Sequence, residues 1–254
     1  MEGSMLHSKS SSFIFLLPYQ KCLHKRKNLP FRPLFCMSST RAEPQKTVYR
    51  DNWLDVLAIN HFSHNLQAAS GIRTQKTGYE GLLEACKEVT NKFNPMEQRR
   101  VVFECLERAI PVQMFPLILS KTLLPQTRSM REIFATFTAL FCAWLVGPIE
   151  VKESDFKGRK EKNVAHIKKC RFLESSNCVG MCTNLCKFPT QKFIKDSLGM
   201  PVTMVPNFEN MSCEIIFGEE PPNPQEDAVT RQPCYKLCKN KIFNSTHTTE
   251  SCPS

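Results

Sequence analysis

The densest cysteine cluster in the chain lies between Cys170 and Cys186, and it constrains the fold more than any other feature of the sequence. The segment reads CRFLESSNCVGMCTNLC, in which Cys178, Cys182 and Cys186 recur at every fourth position. Eight of the 13 cysteines lie from Cys170 onward, and the remaining ones after this segment are Cys213, Cys234, Cys238 and Cys252. Thiols at this density indicate a metal site, a disulfide framework or thiol chemistry.

The spacing of these cysteines limits how a metal could be held. On one straight helix Cys178, Cys182 and Cys186 would share a face, but the outer two would be about 12 Å apart at a rise of about 1.5 Å per residue. A single metal ion with sulfur ligands at about 2.3 Å could not bind both of them. We therefore expect that the helix breaks at Gly180, or that only some of the three are ligands.

Other interpretations of the thiols stay open. A structural zinc ion could use the same residues, and Cys182 and Cys186 could form disulfides with Cys234 and Cys238 in an oxidising compartment. Plain packing is the third alternative, since cysteine is a common buried residue. We predict packing for three cysteines that lie within apolar helical segments, namely Cys86, Cys105 and Cys142.

Helical periodicity dominates the first half of the chain. Apolar residues recur at three and four residue steps from Asp51 to Ala69, and Gly71 is placed to end that helix. A second helix is predicted from Tyr79 to Phe93, and Asn94 caps a third that stops at Pro111. His61 and His64 lie on the first helix without a metal-binding frame around them, so we predict that they are not ligands.

Two strongly apolar segments follow the third helix. Val112–Leu124 is interrupted by Pro116, which predicts a kinked or broken helix. Ile133–Val146 has 14 residues, short of the roughly 20 that a bilayer span needs. We interpret Ile133–Val146 as a buried core helix. The alternative is that both segments wall a pocket for a long hydrocarbon, or dip into a membrane surface.

The character of the sequence changes after Pro148. A charged connector over Glu150–Lys162 predicts a domain boundary. Beyond it, three β-prone pieces and one helix are predicted, at Val164–Ile167, Pro201–Val205, Cys213–Phe217 and Thr190–Leu198. The predicted fold class is α+β, with a helical region over 43–149, a smaller cysteine-rich α+β region over 150–238, and a polar tail over 239–254.

The first 42 residues have the composition of an organelle transit peptide. They hold seven of the chain's 34 basic residues and one of its 24 acidic residues, and they include the serine-rich start. A secretory signal is the rival interpretation, but the apolar run Phe13–Leu17 is shorter than the roughly 7 to 15 residues of such signals. The rest of the chain carries a net charge of only +4 out of the total +10. Nucleic-acid binding is therefore not expected.

Two stretches of the sequence resemble a known enzyme family. They are YRDNWLDVLAINHFSHNLQAASG, from Tyr49 to Gly71, and Gly158–Pro222, which contains CRFLESSNCVGMCTNLCKFPTQKFIKDSLGMPVTMVPNFENMSCEIIF. Both are similar to the plastid β-carotene isomerases of strigolactone biosynthesis. The resemblance implies an isomerase in the plastid that converts all-trans-β-carotene to 9-cis-β-carotene, with peripheral contact to the plastid membrane as a further expectation.

The same resemblance implies iron, either as a mononuclear centre or as an iron-sulfur cluster. It implies six candidate ligands, which are Cys170, Cys178, Cys182, Cys186, Cys213 and Cys234. It assigns no catalytic residue. A phosphate loop, a nucleophile elbow and a dinucleotide fingerprint are missing from the sequence, which leaves metal, thiol or binding functions. The alternatives are a non-catalytic plastid protein that binds metal or carotenoid, and an isomerase of another carotene.

Overall fold

The computed structural model describes residues 47–110 and 127–237, and the first described range folds into three helices. These are α1 (Trp53–Ser70), α2 (Gly78–Lys92) and α3 (Pro95–Ala109). Asn52 and Asn94 each cap a helix by accepting two backbone N–H groups, and Asp55 and Glu97 complete two capping boxes. The three helices predicted from periodicity and capping are confirmed.

The helices pack through one continuous apolar core. This core contains Ile59 and Leu66 of α1, Leu82, Ala85 and Val89 of α2, and Val101, Val102 and Cys105 of α3. Gly71 ends α1 with a backbone φ of 70°, a left-handed conformation that glycine adopts without the usual steric cost.

The apolar segment Ile133–Val146 is not a single buried helix, so that prediction was wrong. Helix α4 (Arg128–Phe141) ends before Cys142, and a short helix α5 (Ala143–Val146) follows it. Only Arg131 and Ala135 are buried in α4, whereas Leu140 is 71% exposed. The reason is that α4 lies at the surface and buries one face only. The other apolar segment, Val112–Leu124, lies outside the described residues, as do residues 1–42 and 239–254.

A four-stranded antiparallel sheet follows, in the order β1-β2-β4-β3. Its strands are β1 (Ile149–Phe156), β2 (Arg159–Ile167), β3 (Val202–Pro206) and β4 (Cys213–Phe217). The predicted charged connector at Glu150–Lys162 is instead a β-hairpin, which corrects that prediction. Along β1 its exposed charged side chains largely alternate with half-buried ones, and on β2 the buried Glu161 pairs with Arg131 of α4 at 2.7 Å.

The cysteine segment lies between β2 and β3 as a chain of short helical pieces. These are α6 (Arg171–Ser176), α7 (Val179–Met181), a π-helix (Cys182–Lys187) and α8 (Phe188–Leu198). Two further short helices follow β4, namely α9 (Ala228–Arg231) and α10 (Pro233–Leu237). The predicted α+β class is confirmed. Across 47–110 and 127–237, every helix is too short or too polar to cross a bilayer.

Candidate functional site

Four cysteines from three different elements line one small cavity. Cys170 precedes α6, Cys182 and Cys186 lie on the π-helix, and Cys213 begins β4. The cavity measures about 20 Å³, which is room for roughly one water-sized group. Apart from Lys187, its other walls are apolar: Val146, Ile167, Phe172, Leu173, Met204 and Pro206.

The π-helix explains how Cys182 and Cys186 both reach this cavity. Pro189 has no N–H to donate, so the regular ladder of hydrogen bonds cannot continue unchanged through this point. The N–H of Phe188 donates instead to the carbonyl of Thr183, five residues earlier, which widens the turn. The backbone stays helical from Val179 through Cys182, so a break at Gly180, the first of the two alternatives, does not occur.

Two of the six predicted ligands do not line the cavity. Cys178 caps α7 and is half-buried, and Cys234 is exposed on α10. The disulfide interpretation is also not supported for Cys182, Cys186 and Cys234, which are free thiols. Cys238 lies outside the described residues. The cavity therefore gathers Cys170, Cys182, Cys186 and Cys213 and leaves the others apart.

Burial controls the protonation of the four cavity thiols. Removal from water raises the pKa of Cys186 to about 12, and it raises the pKa of Cys182 and Cys213 well above the ordinary range. The nearby thiols add to the upward shift in each case. For Cys170 the same burial raises the pKa, although the N–H groups of Leu173 and Phe172 oppose that rise. These thiols hold their protons at neutral pH, so a metal cation would have to displace them.

A buried ion pair stands at the edge of the cavity. Lys187 Nζ lies 2.7 Å from Asp227 Oδ1, and both side chains are almost fully buried. The Lys187 charge also opposes the upward pKa shift of Cys182 and Cys213. Sequence analysis missed this residue. The available signal was a lysine directly after Cys186, within an apolar helical stretch.

The donor set fits iron in its chemistry. Thiolates are the ligands of iron-sulfur clusters and of other thiophilic metal sites, and the cavity has room for one ion. Within the described part of the chain, however, no three or more His, Cys, Asp or Glu side chains are placed so as to hold a metal ion. The four thiols are thus gathered but do not form a coordination sphere.

A second cavity adjoins the first. It measures about 40 Å³ and shares Val146, Phe172 and Cys186 with the thiol cavity. Its remaining lining comes mostly from α1, α2 and α3 and is almost entirely apolar. Both cavities are far smaller than the roughly 300 Å³ or more of a typical ligand pocket. Neither could enclose a long polyene as it stands.

The described residues before α1 are fastened next to Cys170. Arg171 pairs with Asp51 at 2.8 Å, and its guanidinium lies 3.7 Å from the centre of the Tyr79 ring. Burial opposes the ionisation of Glu174, but its contacts with Lys169, Thr47 and Tyr49 outweigh this and lower the pKa of Glu174 to about 2. The segment 47–51 is therefore held against α6, next to Cys170, although it lines neither cavity.

Two of the three cysteines predicted to be packing residues are buried among apolar side chains, and the third is half-buried. Cys86 and Cys105 are buried in α2 and α3, and burial raises the pKa of both thiols. Cys142 is half-buried between α4 and α5.

His61, at the surface of α1, has its ring nitrogen Nε2 at 3.2 Å from the carbonyl oxygen of Ala109.

Comparisons with known proteins place the site in context. A family model described as beta-carotene isomerase D27-like, C-terminal, matches residues 144–226, which contain all four cavity cysteines. The chain is 55% identical to a chloroplastic beta-carotene isomerase D27 of Medicago truncatula over 199 residues, which is 78% of each chain. It is 46% identical to the protein of the same name from Arabidopsis thaliana over 200 residues, covering 78% of this chain and 75% of the relative. No solved structure matches it.

Proposed function

This chain belongs to the beta-carotene isomerase D27-like family, and we propose that it converts all-trans-β-carotene into 9-cis-β-carotene in an iron-dependent reaction. As a member of that family it is a carotenoid isomerase of the chloroplast. The proposal adds the direction of the reaction, its 9-cis product, the metal, and a role at the start of strigolactone biosynthesis.

The observation that carries the proposal is the convergence of four thiols on one apolar cavity. Cys170, Cys182 with Cys186, and Cys213 come from three separate elements, and folding brings them to the same enclosed space. We propose that these four hold the iron once their protons are displaced. Cys178 and Cys234 remain predicted ligands, but the cavity gives them no support.

The chain's own residues supply a dry environment for the chemistry. Rotation about a polyene double bond requires its bond order to fall transiently, and a bound iron can supply one-electron or polarising chemistry for this. The apolar side chains of Phe172, Leu173 and Val146 exclude water from the space beside the thiols. Lys187 places one positive charge at the same wall, which favours the thiolate form of neighbouring cysteines.

We further propose that the enzyme takes its substrate at the plastid membrane. The two adjoining cavities are too small for a long hydrocarbon. A hydrocarbon of this kind dissolves in lipid rather than in water. Contact with the membrane would bring the polyene to the apolar parts of the protein without exposing it to solvent.

The test is purification under anaerobic conditions, metal analysis, and incubation with all-trans-β-carotene followed by separation of the geometric isomers. We expect bound iron and formation of the 9-cis isomer. Iron without isomerisation of any carotene would favour a non-catalytic binding protein, and conversion of another carotene alone would change the substrate. Fully occupied zinc in an active protein would leave only a structural role for the thiols.

A further inference from the structure

Helix α4 presents an apolar face to solvent. Ile133, Phe137, Leu140 and Phe141 lie at the helical spacing i, i+4, i+7 and i+8, so they form one stripe along the helix. Their exposed fractions run from 47% for Phe137 to 71% for Leu140. The rings of Phe137 and Phe141 stack on one another with their centres 4.6 Å apart. We call these four residues the α4 stripe.

The opposite face of α4 is firmly held, so the α4 stripe cannot turn inward. Ala135 is fully buried, and the ring of Phe134 lies 5.7 Å from that of Phe217 on β4. Arg131 forms a buried two-point ion pair with Glu161 of β2. The helix therefore has a fixed orientation in which its most apolar residues point away from the sheet.

Basic side chains border the start of the α4 stripe. The Arg131 guanidinium lies 4.1 Å from the centre of the Phe156 ring, which fixes the tip of the β1–β2 hairpin beside α4. The Lys157 ammonium lies 5.4 Å from the centre of the same ring. The exposed basic residues around this tip and at the start of α4 are Arg128, Lys157, Arg159, Lys160 and Lys162.

Acidic groups neutralise this border only in part. Glu132 pairs with Arg128 at 2.9 Å, and the buried Glu161 pairs with Arg131, which leaves Lys157, Arg159, Lys160 and Lys162. The exposed acids of the hairpin are Glu150, which pairs with Lys168 away from the tip, and Glu153 and Asp155. Near the tip, four basic side chains thus stand against two acidic ones. The result is an apolar helix face with a net positive surface at one end.

From this arrangement we infer that the α4 stripe docks on a bilayer whose surface carries anionic lipid headgroups. An amphipathic helix lying in the interface buries its apolar face among the acyl chains, while nearby lysine and arginine side chains contact the headgroups. The inference rests on the proposed function, because it names the surface by which the isomerase reaches a lipid-dissolved substrate. It places α4 in the plane of the membrane.

The test compares full-length variants in a vesicle sedimentation assay. The vesicles are phosphatidylcholine, either pure or mixed with phosphatidylglycerol. Leu140→Asp puts a charge into the α4 stripe, and Lys157→Glu with Arg159→Glu reverses the charge of the border. Met96→Asp is the matched control, because Met96 is an equally exposed apolar residue on another helix, α3, at 76%. The basic residues of 1–42 are identical in all variants.

We expect the parent chain to bind the anionic vesicles and added salt to weaken that binding. Leu140→Asp should weaken it by roughly tenfold or more, and the double charge reversal by at least about fivefold for each lost basic residue, on anionic vesicles only. Met96→Asp should bind as the parent does. All variants should keep the parent's melting temperature, since the substituted side chains are exposed.

Equal vesicle binding by the parent and Leu140→Asp would overturn the inference. The absence of vesicle binding by the parent would also overturn it. A third contrary result would be a parent chain that binds no vesicles but forms a dimer in sedimentation velocity, with Leu140→Asp converting that dimer to a monomer, because a second copy would then cover the α4 stripe. The proposed function fails separately, if detergent-dispersed carotene is not isomerised by the parent chain. Vesicle binding does not depend on that result.

Discussion

Helices α1 to α3 and the segment from Cys170 to Leu198 both carry buried cysteines, but they use them in different ways. In the three helices Cys86 and Cys105 pack among apolar side chains. Cys86 has Cys105 and Cys186 nearby, but neither Cys86 nor Cys105 lines the thiol cavity. In the Cys170–Leu198 segment, a π-helix and the start of α6 bring thiols to a common cavity, and Cys213 joins them from β4. Burial is the same in both regions. What differs is whether the tertiary structure brings several thiols to the walls of one cavity, as it does for Cys170, Cys182, Cys186 and Cys213.

Metal binding should separate the two regions most strongly. Replacing Cys170, Cys182, Cys186 or Cys213 singly by serine should remove most of the bound iron and the activity, because each variant lacks one of the four sulfur donors of the shared cavity. The matched controls are Cys86→Ser and Cys105→Ser, which should keep both. Iron content by elemental analysis of anaerobically purified protein checks this. Equal iron in all six variants would remove the ligand assignment.

The buried ion pair beside the cavity should give the next largest effect. Lys187→Met leaves Asp227 charged and without its partner in the protein interior, which should lower the free energy of unfolding by about 3–5 kcal/mol. Lys195→Met is the control, since Lys195 and Glu220 form an exposed pair whose loss should cost at most about 1 kcal/mol. Urea unfolding monitored by circular dichroism measures both. Similar costs for the two variants would mean that the buried pair adds nothing special to this region.

A packing thiol should reveal itself through the pH dependence of stability. Burial raises the pKa of Cys105 from 9.0 to about 12, so the folded protein keeps a proton that the unfolded chain releases. The stabilisation is fully present below about pH 9 and is lost as the pH rises towards 12, at about 1.4 kcal/mol per pH unit. Unfolding free energies measured across this range should fall less steeply for Cys105→Ala. Parallel curves for the parent and Cys105→Ala would contradict this.

The smallest effect tests how locally the helical region is encoded. Asn94→Ala removes the side chain that accepts the N–H groups of Met96 and Glu97 at the start of α3, and should cost about 1 kcal/mol. Asn94→Gly, which keeps a favourable capping backbone, should cost only a few tenths. Thermal unfolding distinguishes the two. A loss of several kcal/mol for Asn94→Ala would show that this cap supports more than its own helix.

The sequence by itself determined the parts of this protein that depend on near neighbours in the chain. Asn52, Asn94, Gly71 and Gly199 mark helix ends through contacts within a few residues, so α1, α3 and the end of α8 were predicted correctly. The three strands predicted after residue 163 were also found, because β-prone residues follow one another within each short run. The α+β class and the family follow from such local patterns and from the resemblance in the cysteine region.

Only the tertiary structure decided which cysteines meet and which surfaces stay open. Cys213 joins Cys170, Cys182 and Cys186 because β4 pairs with β2 in the middle of the sheet, whereas Cys234 stays exposed on α10. The charged residues of 150–162 form a hairpin in which β1 pairs with β2, and Arg131 of α4 pairs with the buried Glu161 of that hairpin. The apolar face of α4 points outward because Phe134 and Ala135 already occupy the side that faces the sheet. Each outcome depends on contacts between residues that are distant in sequence. The spacing of residues along the chain does not determine the energies of such contacts.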